Sequence, residues 1–180
     1  SSAALVQDGE LVAAAEEERF SRVKHDSGFP SLAIDFVLKT GGITIHDVDY
    51  VVFYEKPFVK FERMLISAMA TFPKSSAVFR ESMQRWISDK LWIKSMMSKR
   101  LGVPNSKLLF AEHHRSHAAS SFFTSPYEEA AILTVDGAGE WSTATMGVGR
   151  GKKIEILKEL RFPHSLGLLY SAFTAYCGFE

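Results

Sequence analysis

The 180 residues include a single cysteine, Cys177. No disulfide can form within the chain, which points to a reducing, cytoplasmic setting. No apolar run approaches the roughly 18 residues that a membrane span needs. The first residues carry no charged segment followed by an apolar one, so a secretory leader is not expected either. An excess of one charge is also missing, with 21 Lys and Arg against 21 Asp and Glu. That balance leaves no global field to attract nucleic acid or anionic lipid, although local basic clusters can still hold small anions. Internal repeats and low-complexity segments are absent. What remains is globular: 46% hydrophobic and 23% charged residues, at a length that suits one domain or slightly more. Ser1 to Val6 reads as the middle of a strand, and Tyr176 to Glu180 lies in or just after an apolar helical run. Neither end reads as a domain boundary.

Two short apolar runs, Ala3 to Val6 and Leu11 to Ala14, flank Gln7-Asp8-Gly9-Glu10. Asp-Gly suits the positive φ angles of a type I′ turn, so a hairpin is predicted. Glu16 to Phe20 ends the second strand and begins a short helix or loop. Ser31 can cap a helix to Lys39 that Gly41-Gly42 stops. Val48 to Tyr54 reads as a strand. From Phe58 to Arg100 the composition shifts to Met, Phe, Trp and Lys at helical spacings, such as Phe61, Leu65, Met69 and Met83, Ile87, Leu91. Two long helices broken near Pro73 are expected, as an insertion within the surrounding domain. Their Met and Trp residues (Met83, Trp86, Trp92, Met96, Met97) serve either core packing or a partner surface. Strands follow at Lys107 to Phe110, Ala130 to Val135, Thr143 to Gly147 and Ile154 to Leu160, with helices at His113 to Phe123 and after Pro163. Antiparallel strands with crossover helices predict an α/β fold with a mixed sheet.

The sharpest chemical feature is Glu112-His113-His114-Arg115-Ser116-His117-Ala118. On a helix, His113 and His117 lie on one face one turn apart and can share a metal ion. His114 points about 100° away and is assigned to support or to substrate. A hydrogen-bonded helix start is the competing explanation. Next comes Leu133-Thr134-Val135-Asp136-Gly137-Ala138-Gly139. An apolar strand there delivers Asp136 to its carboxyl end, where α/β folds place ligands. Asp136 can ligate a metal, and the turn Gly137, Ala138, Gly139 can cradle phosphate oxygens on its N–H groups. Alone, this segment could be an ordinary hairpin turn. With the histidines it makes a two-nitrogen, one-oxygen set with open positions, which suits catalysis. Arg19, Arg22 and Lys24 could face an anion or form a solvated loop. Ser165 can cap the last helix and leave its N–H groups for an anion, and Gly167 permits a close approach by backbone or nucleotide.

These pieces, in this order, resemble the nodulation and antibiotic-tailoring (NodU-like) carbamoyltransferases. The matching segments are SSAALVQDGELVAAAEEERFSRVKHD, EHHRSHAASSFFTSPYEEAAILTVDGAGEW and FPHSLGLLYSAFTAYCGF, and the likeness covers essentially the whole chain. The resemblance implies half of an actin, sugar-kinase and Hsp70 fold, in the branch that includes tRNA threonylcarbamoyl transferases. It implies ATP and a divalent metal as cofactors, with iron(II) first and zinc or manganese as alternatives. Carbamoyl phosphate, activated as carbamoyl-adenylate, would be the donor and a small hydroxyl compound the acceptor. The implied metal ligands are His113, His117 and Asp136, and Lys24 falls on a lysine of the carbamoyl-phosphate segment. His114 and Lys24 are thus the catalytic candidates, and Gly137, Ala138, Gly139 and Ser165 the cofactor-binding ones.

Two departures from the family matter. Members carry a His-Asp pair just before the position of Ser1, its histidine held to be catalytic, and they continue for several hundred residues with a further metal-binding aspartate. The chain is therefore expected to be an N-terminal part that works with a C-terminal remainder and does not turn over alone. Homo-oligomers are compatible, whereas a membrane or nucleic-acid partner is not expected. Rival readings are a tRNA threonylcarbamoyl transferase, a metal-dependent hydrolase and an interaction module built on the Met and Trp helices.

Overall fold

The structure is a computed structural model, and it describes residues 1–86 and 92–179. Strands β1 (Ser2–Gln7) and β2 (Glu10–Glu16) form an antiparallel hairpin. Asp8 and Gly9 turn it with φ of 53° and 88°, the two positive values a type I′ turn demands. A single helical turn, α1 (Glu18–Ser21), leads towards α2 (Ser31–Gly41), which lies against both strands and buries Ala33 and Val37. Gly42 ends α2 with φ of 66°.

Ser31 does not cap this helix. It is the first helical residue, and the preceding Pro30 supplies no side-chain cap. The cap comes from Glu17, far upstream in the chain. Its buried carboxylate accepts the N–H groups of Leu32 at 3.1 Å and Ala33 at 2.8 Å. A carboxylate there satisfies orphan donors and also meets the positive end of the helix dipole.

Strands β3 (Val51–Phe53) and β4 (Leu108–Phe110) pair in parallel, Val51 opposite Leu108. Parallel neighbours need a long crossover, and the Met- and Trp-rich region supplies it. It contains α3 (Pro57–Ala70), α4 (Ser76–Arg85) and α5 (Ile93–Leu101). The expected break near Pro73 falls between α3 and α4, but three helices stand among the described residues where two were expected. Met97 is buried with Val103 and Leu108, packed by Phe29, Ile45, Val51 and Phe53. Trp86 is buried against Phe61, while Trp92 is 62% exposed. The stripe is thus mainly core, and its predicted members Ile87 and Leu91 lie outside the described residues.

The rest of the chain builds α6 (His113–Phe122), the antiparallel meander β5 (Glu129–Val135), β6 (Ser142–Arg150) and β7 (Lys153–Arg161), and α7 (Leu166–Tyr176). Strand alternation sends Ile132 and Thr134 inward and Leu133 and Val135 outward. Ala118 and Phe122 of α6 close on Ile132, with Ala130 and Ile154 around them. The fold is therefore mixed α/β. Among the described residues, however, parallel and antiparallel pairings occupy three separate small sheets, not one mixed sheet. Among the described residues no helix is long and apolar enough to cross a membrane.

Replacing Glu17 by alanine strips two α2 N–H groups of their acceptor. Urea unfolding of Glu17→Ala is expected to show a loss of about 2 kcal/mol; an unchanged midpoint would remove the capping role.

Candidate metal centre

Three strand ends converge. β3 ends at Phe53 and leads into Tyr54 and Glu55, β4 ends at Phe110 and enters α6 at His113, and β5 ends at Val135 and delivers Asp136. The Ala111 N–H donates to the Phe53 carbonyl at 2.8 Å, which carries the parallel pairing one step further. The buried Glu140 fixes the start of α6. Its Oε1 accepts the backbone N–H of Lys56 at 2.6 Å and that of His113 at 3.3 Å. Ser116 adds a bond from its hydroxyl to the Tyr54 carbonyl at 2.9 Å.

His113 and His117 project from one face of α6, as their spacing predicts. Their Nε2 atoms are 3.1 Å apart. The Oδ2 of Asp136 lies 2.7 Å from Nε2 of His113 and 3.9 Å from Nε2 of His117. One ligand atom from each residue can be chosen so that all lie within 4.8 Å of one another. The His113 side chain is 13% exposed and that of His117 50%. The cluster is thus walled on one side and open on the other, which leaves room for further ligands. Gly139 forms part of the wall: a Cβ there would come within 2.9 Å of the His113 ring and 3.1 Å of the His114 ring. Two imidazoles and one carboxylate are the donor types that zinc, iron and manganese accept, so the residues fit such an ion.

Burial works to raise the Asp136 pKa, but the Gly137 N–H, the His113 ring and the charge of both histidines outweigh it and hold the carboxyl below its ordinary value. Asp136 is therefore an anion near neutrality. His114 turns inward instead of facing a substrate. Its Nδ1 is 2.6 Å from the Thr134 hydroxyl and its Nε2 2.8 Å from the Ser142 carbonyl. A carbonyl only accepts, so the ring proton sits on Nε2 and Nδ1 accepts from Thr134. Thr134 in turn bonds Thr145 at 2.6 Å. Both ring nitrogens are used, so His114 has none left for proton transfer. Burial, with a smaller push from His113, lowers its pKa against the pull of the Ser142 carbonyl.

The glycine turn also differs from expectation. Gly137 and Gly139 keep ordinary φ angles. The Gly137 N–H is bonded to its neighbour Asp136 at 2.6 Å, and the Gly139 N–H to the Ser142 carbonyl at 3.1 Å. Of the three turn amides, only that of Ala138 has no partner among the described residues. Ser165 does cap α7, accepting the Leu168 N–H at 3.0 Å, while its hydroxyl donates to the Gly137 carbonyl at 2.6 Å. The close approach at Gly167 is to backbone: a Cβ would lie 2.7 Å from the Gly137 nitrogen and nearer still to the Asp136 carbonyl. Lys24 lies in an exposed turn after α1 and makes no side-chain hydrogen bond or ion pair among the described residues.

Three site residues had no assigned role in the sequence. Glu140 stood inside a quoted motif without a function. Glu55 follows β3 as Asp136 follows β5, so the rule that selects a carboxylate at a strand end would have found it. Arg63, on α3, is 9% exposed and stacks over the Phe162 ring at 5.1 Å. Its Nη1 and the Nδ1 of His113 are buried without a hydrogen-bond partner.

The His114 pKa sets a sign for acid stability. The buried ring stays neutral below its ordinary value of 6.5, where the unfolded chain takes up a proton. Stability is thus fully present above 6.5 and is lost as pH falls below it. Thermal melting of the metal-free protein between pH 7.5 and about 5 should show this fall, and His114→Gln should flatten it. An equally steep profile in the variant would contradict the assignment.

Comparison with known proteins places the chain in a family. The family described as carbamoyltransferase N-terminus matches residues 1–180. An uncharacterized protein of Synechocystis sp., sll1178, is 50% identical over all of this chain and 30% of its own length. Nodulation protein NolNO of Sinorhizobium fredii is 32% identical over 99% of this chain and 25% of its own. The uncharacterized protein MJ1051 of Methanocaldococcus jannaschii is 25% identical over 99% of this chain and 28% of its own. The chain thus spans under a third of the length of these relatives. With residues 1–180 matched throughout, it belongs to the carbamoyltransferase family, to the part that forms its N-terminus.

Proposed function

We propose that the whole protein is a metal- and ATP-dependent O-carbamoyltransferase. It moves a carbamoyl group from carbamoyl phosphate to a hydroxyl of a small acceptor, and this chain contributes the metal centre. The observation that supports this most is the convergence of His113, His117 and Asp136 just beyond the ends of β4 and β5. The fold proposed around it is half of an actin, sugar-kinase and Hsp70 architecture, in the cytoplasm.

In this reading His113, His117 and Asp136 hold a divalent ion, iron(II) or a similar metal. The ion would supply Lewis-acid polarisation of phosphate and carbamoyl oxygens. Asp136 is held anionic by its donors, which suits ligation. The inward bonds of His114 lock the first turn of α6 to β5 and β6, so His113 and His117 keep their orientation. The Ala138 amide and the start of α7 face a phosphate oxygen, with Ser165 holding helix and turn together. The Arg63 guanidinium and Lys24 add positive charge for a phosphorylated donor. Carbamoyl transfer forms a bond from the acceptor oxygen to the carbamoyl carbon, breaks the bond to the activating phosphate, and passes the hydroxyl proton to a base outside this chain.

A tRNA threonylcarbamoyl transferase would need a basic surface, and this chain is neutral. An interaction module on the Met and Trp helices is disfavoured by the burial of Met97 and Trp86.

Metal analysis of the full-length protein should find about one ion per chain, and the His113→Ala, His117→Ala double variant should lose it. Equal metal content in both would remove the ligand assignment. Carbamoylation assayed with ATP omitted should cease; ATP-independent cleavage of the substrate with no carbamoylated acceptor formed would favour a metal-dependent hydrolase.

A further inference from the structure

The Nδ1 atom of His113 is buried and has no hydrogen-bond partner. The carboxylate nearest to it is that of Glu55, with Oε2 at 3.8 Å. Glu55 is itself only 3% exposed, and its Oε2 also takes a 2.7 Å ion pair from Lys60, one turn along on α3. A carboxylate is costly to bury unless it is paired. Glu55 has one strong partner, Lys60 in the first turns of α3, and the same oxygen faces a histidine that makes no use of it. Two buried groups so placed have an unfinished contact between them.

The proton arrangement explains why. Here Nε2 of His113 shares a hydrogen bond with Asp136 at 2.7 Å. With the ring proton on Nε2, Nδ1 is an acceptor facing a carboxylate, and no bond can form. If Nε2 instead gives its lone pair to an ion, the ring proton must sit on Nδ1. Nδ1 then becomes a donor aimed at Glu55 Oε2, and the unfinished contact turns into a charge-assisted hydrogen bond.

We infer that Glu55 is a positioning residue for the metal centre, accepting the Nδ1 proton of His113 when the ion is bound, with Lys60 holding its carboxylate in place. The inference rests on the metal-centre proposal above. Partners of this kind fix ring tautomer and orientation, and their loss typically weakens metal affinity by about 10–100-fold. Glu55 sits in the loop between β3 and α3, so the contact also ties the crossover helices to the first turn of α6.

The test uses the full-length protein and cobalt(II) as the probe metal, titrated into wild type, Glu55→Gln, Glu55→Ala and His113→Ala, each first checked for folding by circular dichroism. Expected is a 10–100-fold weaker cobalt affinity in Glu55→Ala, a smaller loss in Glu55→Gln, whose amide oxygen still accepts, and the largest loss in His113→Ala. Proton NMR of the cobalt-loaded protein reads the bond directly. Each ligating histidine gives a shifted, exchangeable ring N–H signal, and the His113 signal should persist in wild type and Glu55→Gln but be lost to solvent exchange in Glu55→Ala. Wild-type affinity and an intact His113 signal in Glu55→Ala would overturn the role of Glu55 alone. Failure of wild type to bind cobalt would overturn the metal-centre proposal together with it.

Discussion

One carboxylate, that of Glu140, receives the backbone N–H groups of both Lys56 and His113. Those donors stand at the starts of α3 and α6, and the acceptor stands in the turn that also carries Asp136. Three chain segments, far apart in sequence, are thus pinned to one oxygen in a buried position. The arrangement around the histidines depends on this tie. It brings the β5 turn to the start of α6, and with it Asp136 to within 2.7 Å of His113. It also holds Glu55, next to Lys56, beside the same ring. An anionic acceptor serves two helix starts at once because both present N–H groups without intrahelical partners.

Behind this tie lies a hydrogen-bonded network. His114, Thr134, Thr145 and the Ser142 carbonyl form a continuous hydrogen-bonded chain between α6 and the β5–β6 ladder. Buried networks of that kind are rigid when every member is satisfied. In front of it satisfaction stops. The described residues have two buried side-chain atoms without partners, one on His113 and one on Arg63. Buried polar groups are nearly always paired in folded proteins, so the unpaired Nδ1 of the ring that meets Asp136 is a contact left unfinished on the side of Glu55.

Much of this was legible in the sequence where the cause is local. Asp8-Gly9 fixed its own turn, the four-residue spacing put His113 and His117 on one face, and an apolar strand ending in Asp136 put that carboxylate at a sheet end. Gly167 was read as a point of close approach, and the close partner is the backbone of the Asp136 turn. The misses have non-local causes. Glu17 caps α2 across an intervening loop, a contact no spacing rule anticipates, so Ser31 looked like the cap. The direction of His114 depends on Thr134 and Ser142, which reach it only through the meander. The turn amides of Gly137 and Gly139 looked free for phosphate because their internal acceptors, Asp136 and the Ser142 carbonyl, become neighbours only once the turn closes. Strand signals indicated pairing but not which strands would share a sheet.

Two imidazoles and one carboxylate, those of His113, His117 and Asp136, are proposed to form a single coordination shell. X-ray absorption at the zinc edge of the zinc-loaded, full-length protein reads that shell most directly. Two imidazole nitrogens are expected at about 2.0–2.1 Å, with the remaining ligands oxygen. A spectrum fitted by oxygen alone, without the outer-shell scattering that imidazole rings produce, would contradict it.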